Sequence, residues 1–310
     1  MRKIYSIVIF FGLLISLATG LHHLLIAGFR CRLDGEPGLW NRVYAGKLNS
    51  RIVVMGSSRA MVNYDSKTLS QVTGKNAIVL GLDARHAVMQ YPLLSLYLEK
   101  NAKPDLIIQN LDTTLLEKED FSYPVVYMSY INDDAVYNSL VKVFPFVRFM
   151  RYVPLYSFAR FGFPYSCIAL KGLMGRSHPD AFSQTGTQLH DERWDTTFER
   201  FKKLYPHGKR YGIDINELTA LRSIAQLAKE KNIPLVMVYS PEYYEDFPYT
   251  LNRRQLFRIF KKIADDYNAI LWDYSNSPLS NQKTYFYNSQ HMSMVGSLAF
   301  THQLGERINK

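Results

Sequence analysis

The sequence predicts an α/β protein with a mostly parallel, five-stranded sheet and helices on both faces. Short apolar, β-branched segments alternate along the chain with longer segments of helical periodicity. Strands that alternate with helices in this way form parallel sheets covered on both sides. A long apolar run at the N-terminus lies outside the pattern and predicts a membrane-related segment.

Five segments have the features of buried strands: 51–55, 76–80, 105–109, 234–239 and 269–272. Helical periodicity covers 66–72, 85–98, 215–228, 251–267 and 293–308. Asp65 and Asp214 stand where N-caps of two of these helices are expected. Sites in such sheets form beyond the carboxyl ends of the strands, so the residues that follow each strand are the candidates for function.

Residues 1–28 predict a single-pass anchor, because Arg2 and Lys3 precede an apolar run that reaches Phe29. The run meets the roughly 20 residues that a bilayer core requires, and the basic start places that end in the cytoplasm. A second interpretation is a signal peptide cleaved near 18–20, which would leave a secreted protein. Both place the rest of the chain outside the cytoplasm.

The strand–helix alternation fails over 113–210, which we interpret as a largely helical insertion after the third strand. Residues 29–50 then form a linker and lead-in helix, and 51–112 with 211–310 form the α/β domain. The formal net charge is +10, and the segment from Ala135 to Pro179 holds no Asp or Glu. Its cations are Lys142, Arg148, Arg151, Arg160, Lys171 and Arg176, interleaved with aromatic residues.

Nucleic acid is a poor partner for an exported protein. The basic segment suits anionic lipid headgroups, an acidic polymer or a membrane partner; the alternative is an ordinary insertion with solvated cations. Cys31 and Cys167 are compatible with one disulfide or with two free thiols. No Cys/His cluster has zinc-like spacing, and we predict neither a metal nor a cofactor.

Two polar motifs lie at the ends of the α/β domain. Gly56-Ser57-Ser58 follows the first strand, where a turn into a helix can expose a hydroxyl beside free backbone N–H groups. His291 lies in a polar loop before the last helix, and histidine is the usual base for an alcohol nucleophile. Asn288 lies three residues earlier and could hold the other ring nitrogen. Each motif alone is also compatible with a helix-capping turn.

Together, Gly56-Ser57-Ser58-Arg59 and Asn288-Ser-Gln-His291 resemble the SGNH/GDSL hydrolase superfamily. There a Gly-Asp-Ser block follows the first strand and an Asp-x-x-His block precedes the last helix. The Gly-Ser-Ser form resembles exported members involved in D-alanyl transfer to teichoic acid or O-acetylation of alginate-like polysaccharides. The resemblance covers 51–112 and 211–310 and implies a three-layer, flavodoxin-like fold, with Ser58 as nucleophile and His291 as base.

The chain departs from the family pattern at three places. Asn288 replaces the aspartate that orients the histidine, and Ala84 replaces the glycine of the oxyanion hole. Strict spacing puts Asp112 where an oxyanion-binding asparagine is expected, whereas a shift of two residues would bring Asn110 there. The implied oxyanion and substrate-binding residues are therefore Ser58, Ala84, and Asn110 or Asp112. Asp273 is an outside candidate for a replacement acid and otherwise a turn residue.

These observations predict an extracytoplasmic serine esterase or acyltransferase that acts on O-acyl groups, most simply O-acetyl groups. Its substrate would be a cell-surface polysaccharide or another acylated carbohydrate, with a membrane acyl-donor protein as a further partner. The alternative is a catalytically weakened binding or assembly partner in a surface-polymer modification complex. If both motifs are accidental, Ser58 and His291 should lie more than about 10 Å apart, because a nucleophile and its base must come within about 3 Å.

Overall fold

The computed structural model describes residues 2–122 and 124–310, without the side chain of Arg2. Met1, in the predicted anchor, and Tyr123, in the predicted insertion, lie outside the described residues. The chain divides into two compact units, Met1–Ala45 with Asp120–Gln184 and Gly46–Glu119 with Thr185–Lys310. The predicted domain boundaries at 112/113 and 210/211 remain predictions.

The first unit contains helices only among its described residues. They are α1 (Arg2–Arg30), α2 (Gly35–Tyr44), α6 (Val125–Met128), α7 (Asp134–Leu140), α8 (Val147–Tyr152), α9 (Tyr156–Phe161), α10 (Phe163–Leu173) and α11 (Ala181–Thr185), whose last residue belongs to the second unit.

The second unit contains the sheet. Its strands are β1 (Ile52–Gly56), β2 (Ala77–Gly81), β3 (Leu106–Leu111), β4 (Leu235–Tyr239) and β5 (Ile270–Asp273). Its helices are α3 (Ser58–Asn63), α4 (Ser66–Thr73), α5 (Ala87–Lys100), α12 (Thr197–Leu204), α13 (Ile215–Glu230), α14 (Arg253–Asp266) and α15 (Met294–Ile308), with short 3₁₀ helices at Tyr244–Tyr249, Pro278–Asn281 and Lys283–Tyr285.

The five strands lie in the order β2-β1-β3-β4-β5, and all four neighbouring pairs are parallel. This is the flavodoxin-like, doubly wound order, so the predicted α/β class is confirmed. The chain passes from β1 to β2 on one side and then returns past β1 to β3. Such a reversal opens a crevice at the carboxyl ends of β1 and β3, where ligands bind in open α/β sheets.

Local signals account for the helix ends. The Asp65 carboxylate accepts from the backbone N–H of Thr68, and the Asp214 carboxylate accepts from those of Asn216 and Glu217. Each carboxylate satisfies donors that the first helical turn leaves without intrahelical partners. The predicted starts of α4 and α13 are therefore confirmed.

Glycines at the ends of β1 and β2 allow α3 to pack closely against the sheet. A Cβ on Gly56 would lie 2.8 Å from the Cβ atoms of both Ala60 and Asn110. A Cβ on Gly81 would lie 2.5 Å from Cγ and 2.9 Å from the backbone nitrogen of Met61. Any side chain at these positions would therefore push α3 away from the strand ends.

In the first unit, α1 is long and apolar enough to cross a membrane, either as an anchor or as a signal sequence. From His22 onward one side of the helix is buried, including Leu25, Ile26 and Phe29, while Leu24 stays exposed. A Cβ on Gly28 would lie 2.2 Å from the Ala169 carbonyl oxygen, so α1 and α10 pack with their backbones close together. Cys31 and Cys167 are both free thiols.

Phe300 on α15 anchors the core between the sheet and this helix. Its ring makes edge contacts with Tyr64 at 5.3 Å and Tyr274 at 5.2 Å, and it is fully buried. We expect Phe300→Ala to lower the free energy of unfolding by about 3–5 kcal/mol through lost burial and the cavity left behind. Val295→Ala, at an exposed position of the same helix, should change it by less than about 0.5 kcal/mol. Urea unfolding followed by circular dichroism measures both, and equal effects would contradict this account of the core.

Candidate active site

Two adjacent serines at the end of β1 have opposite orientations. Ser57 is the N-cap of α3, and its buried hydroxyl donates to Oδ2 of Asp112 at 2.6 Å. Ser58 is the first residue of α3, is partly exposed, and lines a cavity. The strand-to-helix turn thus commits one hydroxyl to the interior and presents the other to the crevice.

His291 is held in the loop between β5 and α15 by contacts on both sides. Phe286 and Met292 form an antiparallel bridge, and the backbone N–H of Tyr287 donates to the His291 carbonyl at 3.1 Å. The Tyr287 ring stacks on the imidazole at 5.6 Å between centroids, with 14° between the planes. In this setting Nε2 of His291 lies 2.8 Å from Oγ of Ser58. If both motifs were accidental, Ser58 and His291 should lie more than about 10 Å apart. The observed distance contradicts that interpretation.

The contacts of Asn288 determine the tautomer of His291. Oδ1 of Asn288 accepts from the backbone N–H groups of Gln290 at 3.1 Å and His291 at 2.9 Å. Because backbone nitrogens only donate, the amide atom at this position must be oxygen. The same oxygen lies 3.1 Å from Nδ1 of His291, so Nδ1 must carry the ring proton. Nε2 is then unprotonated and accepts from the Ser58 hydroxyl, as a general base requires.

The imidazole is neutral over the physiological pH range. Burial is the main cause that lowers the pKa of His291, the nearby Arg59 cation is the second, and the net pKa is about 4. Asp112 acts in the opposite direction but does not outweigh these effects. The ring is therefore available as a base at neutral pH, while its protonated form is poorly stabilised.

Arg59, the residue after Ser58, belongs to the candidate site and was not predicted as a site residue from the sequence. It is almost fully buried, and Nη2 donates to the carbonyls of Ser240 at 2.6 Å and Pro241 at 3.0 Å. Nη1 lies 3.5 Å from Oε2 of Glu242, and the guanidinium lies 4.9 Å from the Tyr239 ring centroid. The sequence did contain one signal for this role, since an arginine directly follows Ser58 in a buried turn. A buried charge needs a polar or charged partner, so such an arginine indicates an internal network of contacts.

Asp112, a predicted oxyanion residue, forms a hydrogen bond with Ser57, the residue before Ser58. Its Oδ2 accepts from the Ser57 hydroxyl, while Oδ1 accepts from the backbone N–H of Thr114 at 3.0 Å and from its hydroxyl at 2.8 Å. The carboxylate is buried and does not line the Ser58 cavity. Asp112 therefore influences the site through its hydrogen bonds to Ser57 and Thr114, and it does not contact the cavity beside Ser58.

Asn110, the alternative oxyanion residue, is fully buried in β3. Its Oδ1 accepts from the Tyr64 hydroxyl at 2.9 Å, and its Nδ2 donates to the Leu111 carbonyl at 3.3 Å. The structure does not bring this amide into the Ser58 cavity. A side-chain donor for the oxyanion does not come from Asn110 in this arrangement.

Ala84 lies in the turn after β2, where its φ of 51° is in the left-handed region. The preceding residue, Asp83, lines the same cavity as Ser58, so the Ala84 backbone lies at its edge. Its function as an oxyanion donor stays a prediction. Asp273 accepts from the backbone N–H and the hydroxyl of Ser275, as a turn residue does.

Two cavities lie on either side of the Asn288–His291 segment. The smaller has a volume of about 240 Å³ and is lined by Ser58, Met61, Val62, Asp83, Gln188, His190, Tyr287, Asn288 and His291. The larger, of about 370 Å³, is lined by Thr114, Thr197, Phe198, Phe201, Lys209, Tyr211, Asp246, Asn288, Ser289, Gln290 and His291. Several of these residues fall in the segment that the sequence analysis assigned to the insertion, so the site is larger than the two motifs.

No protein-family model and no curated protein matches the chain. Among solved structures, a "putative acylhydrolase" from Bacteroides fragilis is 12% identical, over 84% of this chain and 88% of that one, with a TM-score of 0.37. A GDSL-like lipase from Bacteroides thetaiotaomicron is 10% identical, over 83% and 88%, also with a TM-score of 0.37. These similarities are too distant to carry an inference about chemistry, which must come from the geometry of the site.

The geometry predicts the titration of His291. We expect its imidazole to titrate near pH 4, from the Nδ1–H tautomer, in a nitrogen-resolved NMR titration with His291→Ala as the assignment control. Asn288→Asp should raise this midpoint by roughly 1–3 pH units, because a carboxylate beside Nδ1 stabilises the imidazolium. Asn216→Asp, at an exposed position on α13, should leave it unchanged. A wild-type midpoint near the ordinary value of about 6.5 would contradict the buried site.

Proposed function

We propose that the protein is a serine esterase or acyltransferase of the SGNH/GDSL type, with Ser58 as nucleophile, His291 as general base and Asn288 as the residue that orients the base. One observation carries the proposal: Ser58 Oγ lies 2.8 Å from Nε2 of His291, whose Nδ1 lies 3.1 Å from the Asn288 oxygen. This is the arrangement of a nucleophile, its base and an orienting group that activated serines require.

In the first half-reaction, Nε2 of His291 takes the Ser58 proton while Oγ attacks the carbonyl carbon of the ester. The negative charge that develops on the carbonyl oxygen is stabilised by backbone N–H groups, for which Ser58 and Ala84 are the candidates. Collapse of this intermediate breaks the bond to the alcohol, which receives the proton from His291. The acyl group stays on Ser58.

In the second half-reaction, His291 deprotonates a water molecule or a sugar hydroxyl, which attacks the acyl-serine. Collapse of this intermediate breaks the ester bond to Oγ of Ser58, and His291 returns the proton to that oxygen. Water completes a hydrolysis and a sugar hydroxyl completes a transfer. The two outcomes share the same residues and differ only in the acceptor.

With Asn288 in place of an aspartate, the site should catalyse more slowly, although the arrangement of Ser58, His291 and residue 288 is kept. In the serine-protease example, replacing the orienting aspartate by asparagine costs about 10⁴ in rate because the histidine adopts the wrong tautomer. Here two backbone N–H groups hold the Asn288 oxygen toward Nδ1, so the productive tautomer is kept. What is lost is the negative charge that would stabilise the imidazolium in the transition state.

The cavities support a small acyl group on a carbohydrate. Met61 and Val62 provide apolar wall beside Ser58, while Asp83, Gln188 and His190 provide polar groups in the same 240 Å³ space. Such a volume suits an acetyl group and the adjoining part of a sugar better than a long acyl chain. The net charge of +10 favours an acidic cell-surface polysaccharide, although another acylated carbohydrate fits the same chemistry.

We further propose that α1 anchors the chain as a single pass in the cytoplasmic membrane, with the catalytic domain outside the cytoplasm. Cleavage near 18–20 and secretion is the alternative. An anchored transferase would take its acyl group from a membrane acyl-donor protein, whereas a hydrolase needs no such partner.

A second candidate function is that of a catalytically weakened binding or assembly partner in a surface-polymer complex. The observation that favours it is the position of Asn110, whose amide is bound inside the protein instead of facing the cavity. Asp112 and Asn288 add to this, since neither supplies the group that the family pattern has. In that case Ser58→Ala would leave the cellular function intact.

Labelling with a fluorophosphonate probe tests the activated serine. The full chain in detergent should become labelled, and Ser58→Ala or His291→Ala should abolish labelling, because one removes the nucleophile and the other its base. Ser223→Ala and His302→Ala, on helix surfaces away from the cavity, are the matched controls and should label like the wild type. Absence of labelling on a folded wild-type protein would favour the binding-partner function.

The pH dependence of labelling follows from the pKa of His291. The base must be neutral, so the labelling rate should stay flat from roughly pH 8 to pH 5 and then fall as pH drops through the pKa of about 4. Asn288→Asp should move this acid limb upward and raise the plateau rate by about 10-fold or more, because the added charge stabilises the imidazolium. An acid limb near pH 6.5 in the wild type would argue against His291 as the buried base.

A further inference from the structure

The N-terminal helix has an exposed, apolar segment whose length matches a bilayer core. From Ile4 to Leu21 the residues of α1 are exposed or half-buried, and most are large and apolar. These 18 residues span about 27 Å at 1.5 Å per residue, against about 30 Å for the hydrocarbon core. His22 is the first buried residue, so it marks the level at which α1 enters the protein.

The connection between α8 and α9 lies at the level of His22. The backbone N–H of Leu155 donates to Nδ1 of His22 at 3.3 Å, and the Phe158 ring lies 6.1 Å from the imidazole. Directly before this point in the chain, Tyr152 and Val153 are exposed, and Tyr152 exposes 67% of its surface. Two apolar side chains are therefore presented to solvent where the apolar helix leaves the protein.

The first turn of α10 reaches the same level. Gly28 of α1 packs against Ala169 and Gly172 of α10, and beyond the two helices the backbone N–H of Leu33 donates to the Ser177 hydroxyl at 2.7 Å, so the helices run in the same direction. Phe163 precedes Gly172 by nine residues, or about 13 Å of helix, which brings it back toward His22. Its exposed fraction is 74%, higher than that of any other large apolar residue of the described chain.

Cations accompany these apolar side chains. The Arg151 guanidinium lies 5.6 Å from the Tyr152 ring centroid and 4.4 Å from that of Tyr137, and it pairs with Asp134 at 2.9 Å. The Arg160 guanidinium lies 4.0 Å from the Phe146 ring centroid, and exposed Arg148 lies beside Phe149. Arginines that lie along aromatic side chains can bury their stems while the charged groups reach lipid phosphates.

We propose that Tyr152, Val153 and Phe163, together with Arg148, Arg151 and Arg160, form a collar that inserts into the interface of an anionic membrane around α1. Aromatic side chains at this depth occupy the headgroup region, where their apolar rings and polar surroundings are both satisfied. The helical unit then contacts the bilayer through the collar as well as through α1. This surface is independent of the chemistry at Ser58, so its failure and that of the enzymatic proposal are separate outcomes.

Tryptophan quenching in nanodiscs tests the collar. The full chain, including α1, is reconstituted with lipids brominated near the headgroup end of the acyl chains, in zwitterionic and in anionic bilayers. Phe163→Trp and Tyr152→Trp should each add emission that brominated lipid quenches by about half, more strongly in anionic discs, as interfacial residues do. Two separate positions protect the test against one variant that fails to fold.

The matched control is Met174→Trp, at a position with 54% exposure directly after α10, at the end of this helix opposite to Phe163. Its added emission should be insensitive to brominated lipid and open to quenching by aqueous acrylamide. If Phe163→Trp and Tyr152→Trp behave like this control, α1 alone holds the protein at the membrane and the collar is overturned. Equal quenching in zwitterionic and anionic bilayers would overturn the proposed contacts between the arginines and headgroups.

Discussion

The candidate site depends on one carbonyl oxygen, Oδ1 of Asn288. It accepts two backbone N–H groups of its own loop and faces Nδ1 of His291, and these contacts together decide which ring nitrogen carries the proton. An amide in the opposite orientation would present N–H groups to Nδ1 and leave Nε2 protonated, unable to accept from Ser58. A loop conformation thus does part of the work that a negative charge does in an aspartate-containing triad.

Two charged groups close to Ser58, those of Arg59 and Asp112, are buried and do not line the Ser58 cavity. The buried cation of Arg59 lies against Glu242 and two carbonyl groups, and Asp112 accepts a hydrogen bond from Ser57, directly beside Ser58. Both are close enough to influence the pKa of His291, in opposite directions. Burial, reinforced by the Arg59 cation, keeps the imidazole neutral, and the Asp112 carboxylate acts against this effect. The arrangement suits a base that works at neutral pH but gains little from an orienting charge.

The collar and the active site reflect different physical requirements. The site needs atoms held to within tenths of an ångström, which buried hydrogen bonds and close packing at Gly56 and Gly81 provide. The proposed collar needs only exposed aromatic and basic side chains, which α8, α9 and α10 provide. The absence of Asp and Glu over 135–179 favours contact of the proposed collar with anionic lipid and does not contribute to the candidate site.

Several features could be predicted from local sequence: the alternation of strands and helices, the capping residues Asp65 and Asp214, and the two motifs that hold Ser58 and His291. These are local properties, because periodicity and capping depend on neighbours within a few positions. The three-dimensional structure was needed to show that Ser58 and His291, 233 positions apart, lie within 2.8 Å of each other. It was also needed to show that the Asn110 amide faces the core toward Tyr64. It also brought His190 and Tyr287 into the cavity. These residues meet their hydrogen-bond and packing partners only after the sheet has formed. The local sequence pattern therefore could not predict these contacts.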